Sequence, residues 1–141
     1  MQGDVMISDN EAFENFINEF RWAVLTTLRA SGSPVSSVVA YARDGDDLVV
    51  STPGMTFKRK TLENDERVNL CIINNAEPFN FVSVEGRVTI QTDDLVRTTR
   101  LVFQNIKDTG YQEPEDFENW LETQQRVILR IKPDRVYGVI R

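Results

Sequence analysis

Histidine is absent from this 141-residue chain, and cysteine occurs once, at Cys71. Without histidine there is no Ser-His-Asp or Cys-His arrangement, no usual zinc ligand set and not the commonest general base. A single thiol excludes an intrachain disulfide framework and a Cys-cluster metal site. Positive charge is also in short supply: 16 Lys and Arg stand against 22 Asp and Glu, a net charge of -6. A protein that grips phosphate backbones carries the opposite balance, so general nucleic-acid binding is not expected. No apolar run approaches the roughly 18 residues of a membrane span, and Met1-Gln2-Gly3-Asp4 lacks the basic and apolar regions of a signal peptide. With Cys71 unpaired, these absences predict a cytoplasmic protein with no membrane contact. Chemistry on such a chain has to come from something it binds.

What is present suffices for one folded domain over residues 1–141. Hydrophobic residues make up 40% of the chain, and a domain of this length buries roughly two thirds of its unfolded surface. Ser8 and Glu11 have the spacing of a capping box, and Phe13, Phe16, Ile17 and Phe20 follow as an apolar stripe on a short helix. From Trp22 the pattern turns to strand: 22–29, then a turn at 31–34, then 35–43, a turn at Asp44-Gly45-Asp46-Asp47, and 48–51. Three strands joined by two short turns read as an antiparallel meander. The aspartates of the second turn lack the remaining ligands of a calcium loop and read as a hairpin.

Thr56 is a plausible N-cap for a helix to about residue 65. Strands follow over 67–73 and 79–91, the second with Gly86 in its middle, where a bulge or bend is expected. Asp93 and Asp94 begin a further helix whose buried face is Leu95, Thr99, Val102, Phe103 and Ile106. Pro114 suits the first turn of a fourth helix carrying Phe117, Trp120 and Leu121, and residues 126–140 close the chain as a strand interrupted at Pro133 and Asp134. The sum is a mainly β fold with flanking helices, a small antiparallel barrel of about six strands. No glycine-rich nucleotide motif follows any strand.

One stretch carries a chemical signal. Lys58-Arg59-Lys60 is the only cationic triplet in an acidic chain, and it falls on the first turn of a helix, the end at which cations are unfavourable. Helix amides, lysine and the hydroxyls of Thr52 and Thr56 would together make a phosphate site. A solvated basic face paired with Glu63, Asp65 and Glu66 accounts for the triplet equally. Tyr41, Phe79 and Phe81 read either as barrel packing or as walls around a planar ring.

At this point the residues resemble a known family, the split β-barrel flavin and deazaflavin oxidoreductases related to pyridoxamine 5′-phosphate oxidase. The resemblance runs from Trp22 to Arg141. Ala23–Leu28 with Gly32-Ser33-Pro34 resembles the family's first hairpin, and Ser37-Val38-Val39-Ala40-Tyr41 its second strand, whose backbone follows the cofactor ring. Ser51-Thr52, Thr56-Phe57-Lys58 and Leu62–Val68 are similar to its T-x-K-x-x-N-L-x-x-D-P-R-V block, in which hydroxyl and lysine hold the cofactor phosphate. Ser83–Val88 is similar to its V-x-G-x-V strand, and Arg135-Val136-Tyr137-Gly138 to the closing strand of the branch that uses coenzyme F-420.

The resemblance implies a six-stranded split barrel and an oxidoreductase that uses a bound deazaflavin, coenzyme F-420, to pass a hydride to a small conjugated acceptor. The alternatives are an FMN-binding oxidoreductase and a flavin carrier without turnover. It implies a cofactor site built from Val38, Val39, Ala40, Tyr41, Ser51, Thr52, Thr56, Phe57, Lys58 and Lys60. A homodimer is implied as well, in which Phe79 and Phe81 reach the cofactor of the other subunit. Arg59 and Lys60 would attract the coenzyme's polyglutamate tail, Tyr41 is a candidate hydrogen-bond or proton donor, and the loops at 74–78 and 107–112 form the pocket wall. The oxidase itself has arginine where this chain has Ser37, and substrate-binding His and Arg residues that have no counterpart here. Those departures point away from pyridoxamine-phosphate oxidation and from FMN.

Overall fold

The computed structural model describes residues 6–141, without the side chains of Phe57 and Lys58; Met1–Asp4, read above for a signal, lie outside the described residues. The elements are α1 (Glu11–Glu19), β1 (Trp22–Leu28), β2 (Pro34–Ala40), β3 (Ala42–Asp44), β4 (Asp47–Pro53), α2 (Phe57–Asn64), β5 (Arg67–Ile73), β6 (Phe81–Gln91), α3 (Leu95–Asn105), α4 (Phe117–Thr123) and β7 (Arg126–Val139). All strands join one antiparallel sheet in the order β2-β1-β5-β6-β7-β4-β3. No helix among the described residues is long and apolar enough to cross a membrane.

The mainly β class with flanking helices holds, with seven strands in place of six. The extra strand comes from a break within 35–43, where Tyr41 separates β2 from β3. Because β2 pairs with β1 while β3 pairs with β4, one continuous segment supplies both edges of the sheet. The expected meander is corrected accordingly: the third predicted strand, β4, pairs with β3 and β7, and β2 is not hydrogen-bonded to it. Tyr41 makes the break because its ring is pulled inward. It is 1% exposed, and its hydroxyl donates toward the carbonyl oxygens of Ile17 (2.8 Å) and Phe20 (2.7 Å) at the end of α1.

Strict alternation builds the core. Ala23 and Leu25 of β1, Val68, Leu70 and Ile72 of β5, Val82 and Val84 of β6, and Leu129 and Ile131 of β7 all point inward and are buried. Each such side chain contributes about 1.5–3 kcal/mol by leaving water. Phe16 and Ile17 of α1 close one end of this core, with Phe13 and Phe20 packed beside them. The helix is capped two residues later than the capping-box spacing indicates. Asn10 is the N-cap and accepts from the Phe13 amide, while the Glu14 carboxylate reaches back to the amides of Ile7 and Ser8. A second, smaller cluster of Ala42, Val49, Val102 and Ile128 seats α3 on the opposite face of β4 and β7.

Gly86 does mark a bulge. Glu85 pairs with Arg135 but Gly86 with Pro133, so Asp134 is the surplus residue on β7, and the strand continues through the proline. A Cβ at Gly86 would lie 2.3 Å from the Lys132 carbonyl oxygen, which leaves room only for glycine. The Asp44–Asp47 hairpin also forms, with Gly45 at φ +68°. Pro114 falls outside the fourth helix, which starts at Phe117 after Asp116.

Candidate functional site

The sheet curls but does not close, and a cleft opens between edge strand β2 and β4, roofed by α3. Its volume is about 270 Å³, near the lower end of the roughly 300–1,000 Å³ of small-molecule pockets. β2 provides Val38, Val39 and Ala40; Trp22 of β1, Ser51 of β4, Val102 and Phe103 of α3, Ile106 just after it, Tyr111 and Arg126 complete the lining. Val38 is 68% exposed, a large apolar side chain with nothing over it. The wall is aromatic at both ends. Tyr111 meets Trp22 edge-on at 5.8 Å, and Phe103 meets Trp120 edge-on at 5.8 Å, with Trp120 stacked on Phe117. Such a slot, walled by aromatic rings and carrying polar as well as apolar surface, suits a planar conjugated ligand with polar edges.

Two polar groups in this lining are buried and lack hydrogen-bond partners: the Ser51 hydroxyl and the Nε of Arg126. Buried polar atoms in folded proteins are nearly always satisfied; four others among the described residues, Asp47 Oδ1, Arg59 Nε, Asn69 Oδ1 and Thr99 Oγ1, also lack a hydrogen-bond partner, so the pair in the cleft is consistent with a polar partner there without identifying one. A flavin-type group, with polar ring edges and an anionic tail, fits aromatic walls with polar groups between them.

Beside the cleft, the turn from β4 into α2 forms the hydroxyl corner. Thr56 caps α2 and accepts from the Arg59 amide at 3.4 Å. Thr52 lies behind it, 1% exposed, its hydroxyl 3.1 Å from that of Thr56. Thr52 therefore faces the barrel interior and positions Thr56, and the latter is the hydroxyl left near the surface. Arg59 is tied back to the Gly54 carbonyl oxygen (3.2 Å), with Glu63 3.8 Å from its Nε, and Lys60 is exposed. Gly54 has no alternative residue here, because a Cβ would lie 2.4 Å from the Gln125 carbonyl oxygen. The side chains of Phe57 and Lys58 lie outside the described residues; both residues sit in the first turn of α2.

The structure thus brings together Val38, Val39, Ala40 and Ser51 in the cleft, and Thr52 and Thr56 at its neighbouring corner. Val39 turns its side chain into the core and presents backbone to the cleft side. Tyr41 is not among the residues that line the cleft. Its hydroxyl is held by α1, its carbonyl oxygen accepts from Asn105 Nδ2 at 2.7 Å, and burial pushes the phenol well above its ordinary range, so it is no proton donor to a ligand. Phe79 and Phe81, expected at the cofactor of a second subunit, lie away from this chain's own cleft. Phe81 lies on the outer face of the sheet, edge-on to Tyr137 at 6.5 Å, and Phe79 is 57% exposed. Of the two loops expected in the wall, only 107–112 takes part, through Tyr111. Sequence reasoning missed Trp22, Phe103 and Arg126 as cleft residues, and reached Tyr111 only through its loop. Arg126 carried one available signal: it opens the closing strand immediately before a run of buried Val127, Ile128 and Leu129, an arginine about to enter the interior.

The pyridoxamine 5′-phosphate oxidase family matches residues 9–140, nearly the whole chain. The chain belongs to that family. Among curated proteins, an F420H(2)-dependent biliverdin reductase of Mycobacterium tuberculosis is 27% identical over 124 residues, covering 87% of this chain and 82% of the relative. Among solved structures, an F420 reductase superposes with a TM-score of 0.71 at 20% identity, covering 88% of this chain and 94% of that one. A conserved hypothetical protein of Mycobacterium tuberculosis superposes with a TM-score of 0.74 at 23% identity, covering 98% and 88%. These two likenesses are likenesses of fold.

Proposed function

We propose that the protein is an oxidoreductase that binds coenzyme F-420 in the cleft between β2 and β4 and reduces a small conjugated acceptor. The observation that carries this reading is the aromatic-walled cleft with two unsatisfied polar groups, set beside a hydroxyl-bearing helix start. Membership of the oxidase family and the resemblance to an F420H(2)-dependent reductase support it. When bound, the reduced deazaflavin supplies the hydride, and the protein's task is binding, orientation and exclusion of water.

The residues divide that task. The β2 backbone from Val38 to Ala40 would flank the ring, and Trp22, Phe103 and Tyr111 would wall it. Thr56 and the first amides of α2 would receive the phosphate, with Lys58 as the family resemblance implies; Thr52 lies behind Thr56, hydroxyl to hydroxyl. Alignment of donor and acceptor is the source of rate enhancement, since the described residues of the cleft include no histidine or carboxylate to act as general base. Ser37, in place of an arginine, removes one charge-assisted phosphate contact and favours F-420 over FMN. The functional unit is a homodimer: Val38, Phe79, Tyr137, Val139 and Ile140 leave an apolar surface on the outer face of the sheet and at its end, and a second subunit would cover it.

Titration of the purified protein with F-420 and with FMN, read by fluorescence quenching, tests the reading. Binding of F-420, weakened more than about tenfold in Lys58→Ala, supports it. Preference for FMN moves the protein to the FMN branch, uptake of F-420 without reduction of biliverdin or any other acceptor in a broad panel leaves a carrier, and binding of neither coenzyme overturns the site. Sedimentation equilibrium at a single-chain mass would overturn the dimer.

A further inference from the structure

We propose that Arg126, with Ser51, forms an oxyanion subsite inside the cleft, recognising a phosphate or carboxylate on the ligand that fills it. The inference rests on the cleft being the ligand site, and adds to it an anchoring cation outside the Lys58-Arg59-Lys60 triplet.

The geometry comes from strand register. Arg126 opens β7 directly opposite Pro53, and Ile128 lies opposite Ser51. Residues opposite each other in an antiparallel pair share a face, so Arg126 and Ser51 are diagonal neighbours on the α3 side of the sheet, about 7–8 Å apart at their backbones. Both line the same cleft. The Arg126 guanidinium lies 4.3 Å from the centre of the Trp120 ring, which holds its plane, and Trp120 is itself fixed by Phe103 and Phe117.

What singles out Arg126 is the lack of an anion. The chain has 22 acidic residues, yet among the described residues none forms an ion pair with Arg126, and its buried Nε has no partner. Burial without a compensating charge lowers its proton affinity, though a guanidinium stays charged at any physiological pH. A half-buried, unpaired cation is costly, and a cation–π contact offsets only a part of that cost. The terminal nitrogens of the planar fork match a carboxylate or phosphate in two-point contact, and the Ser51 hydroxyl, buried on the neighbouring strand, becomes a third donor when it turns toward the ligand. An oxyanion is the ligand group that compensates the charge. A neutral ring edge leaves the charge uncompensated, and a cationic group opposes it.

The oxyanion has two sources, the cofactor's phosphate and a carboxylate of the acceptor, and paired probes separate them. Binding constants are measured by quenching of tryptophan fluorescence for F-420 against its phosphate-free deazaflavin precursor, and for biliverdin against its dimethyl ester. In Arg126→Gln the anionic member of one pair should weaken about tenfold or more, while its neutral counterpart stays within about twofold. The pair that responds identifies the source. Ser51→Ala should weaken the same member by a smaller factor, and Arg126→Lys, which keeps charge but loses the fork, should fall between. Arg126→Met, which keeps the stem over Trp120, serves in place of the glutamine variant if that fails to fold. Equal weakening of both members of each pair would mean that Arg126 only packs the wall, and would overturn the proposal. So would unchanged binding in a protein that takes up F-420, an outcome that leaves the cleft reading intact. If the wild type binds no member of either pair, the cleft reading fails and this subsite with it.

Discussion

Two arginines on β7, four residues apart, face the same side of one strand and live in opposite circumstances. Arg130 is fully engaged: its nitrogens donate to Gln91 Oε1 (2.8 Å), Asp47 Oδ2 (3.0 Å) and Asp44 Oδ2 (2.8 Å). Arg97 of α3 grips the other side of Asp44 through both of its carboxylate oxygens. The β3–β4 hairpin, the end of β6, β7 and α3 are thereby fastened into one unit. Arg126, a turn of the pleat earlier, has an aromatic ring and no anion. The β4–β7 pair thus has one end fastened by ion pairs and another whose arginine meets only an aromatic ring, the end at which the proposed ligand would sit.

The largest effect should come from the closed end. Arg130→Ala leaves Asp44 and Asp47 facing each other without their shared cation. It should cost about 2 kcal/mol, below the 3–5 kcal/mol of a fully buried pair because these groups keep about one fifth of their exposure. Denaturant unfolding measures it, and a loss under half of that would remove the distinction between the two ends. Next, Tyr41→Phe should cost about 1–2 kcal/mol by leaving the Ile17 and Phe20 carbonyl oxygens short of a donor. Its affinity for F-420 should equal that of the wild type, since Tyr41 is a paired group of the core and not part of the open end.

Ser51→Asp tests the contrast directly by converting the open end into a closed one. A carboxylate diagonal to Arg126 should hold or raise stability, by up to about 1 kcal/mol, while abolishing uptake of the anionic ligand; thermal melts and the quenching titration report the two halves. The smallest effect is in pH. The Arg97 hydrogen bonds, followed by those of Arg130, hold the Asp44 carboxyl below its usual range against the opposing effect of burial. A depressed folded-state value means that the stabilisation is complete above the ordinary carboxylate range and disappears as pH falls through the depressed value. Melting temperature should therefore decline on acidification, and the decline should be shallower in Asp44→Asn.

Much of this architecture was legible because it is local. The stripe Phe13, Phe16, Ile17 and Phe20 names the core face of α1, Thr56 names the start of α2, and Gly86 names the bulge, each through spacing or backbone chemistry that acts within a few residues. The break at Tyr41 was not legible. No glycine or proline marks it, and it exists because a phenol is drawn to carbonyl oxygens more than twenty residues earlier in the chain. The same cause moved Tyr41 from the site to the core. The hydroxyl corner was readable from Thr52 and Thr56, though which of the two faces outward depended on strand alternation in the folded sheet. Arg126 was hidden for a more general reason. Sequence displays a charge but not its neighbours, and whether an arginine is satisfied is decided by strands that meet only in three dimensions.

The single-residue pivot between β2 and β3 has a bearing on how the molecule behaves in a crowd of its own copies. Unpaired strand margins invite other chains to add on, and proteins usually guard them with charge, proline or a covering helix. Here the two margins of the sheet are successive stretches of one segment, tethered at Tyr41, which is itself anchored to α1. An intruding strand would need to separate two pieces of backbone that cannot move apart. The opening between β2 and β4 is thus flanked, at its Tyr41 end, by backbone that α1 holds in place.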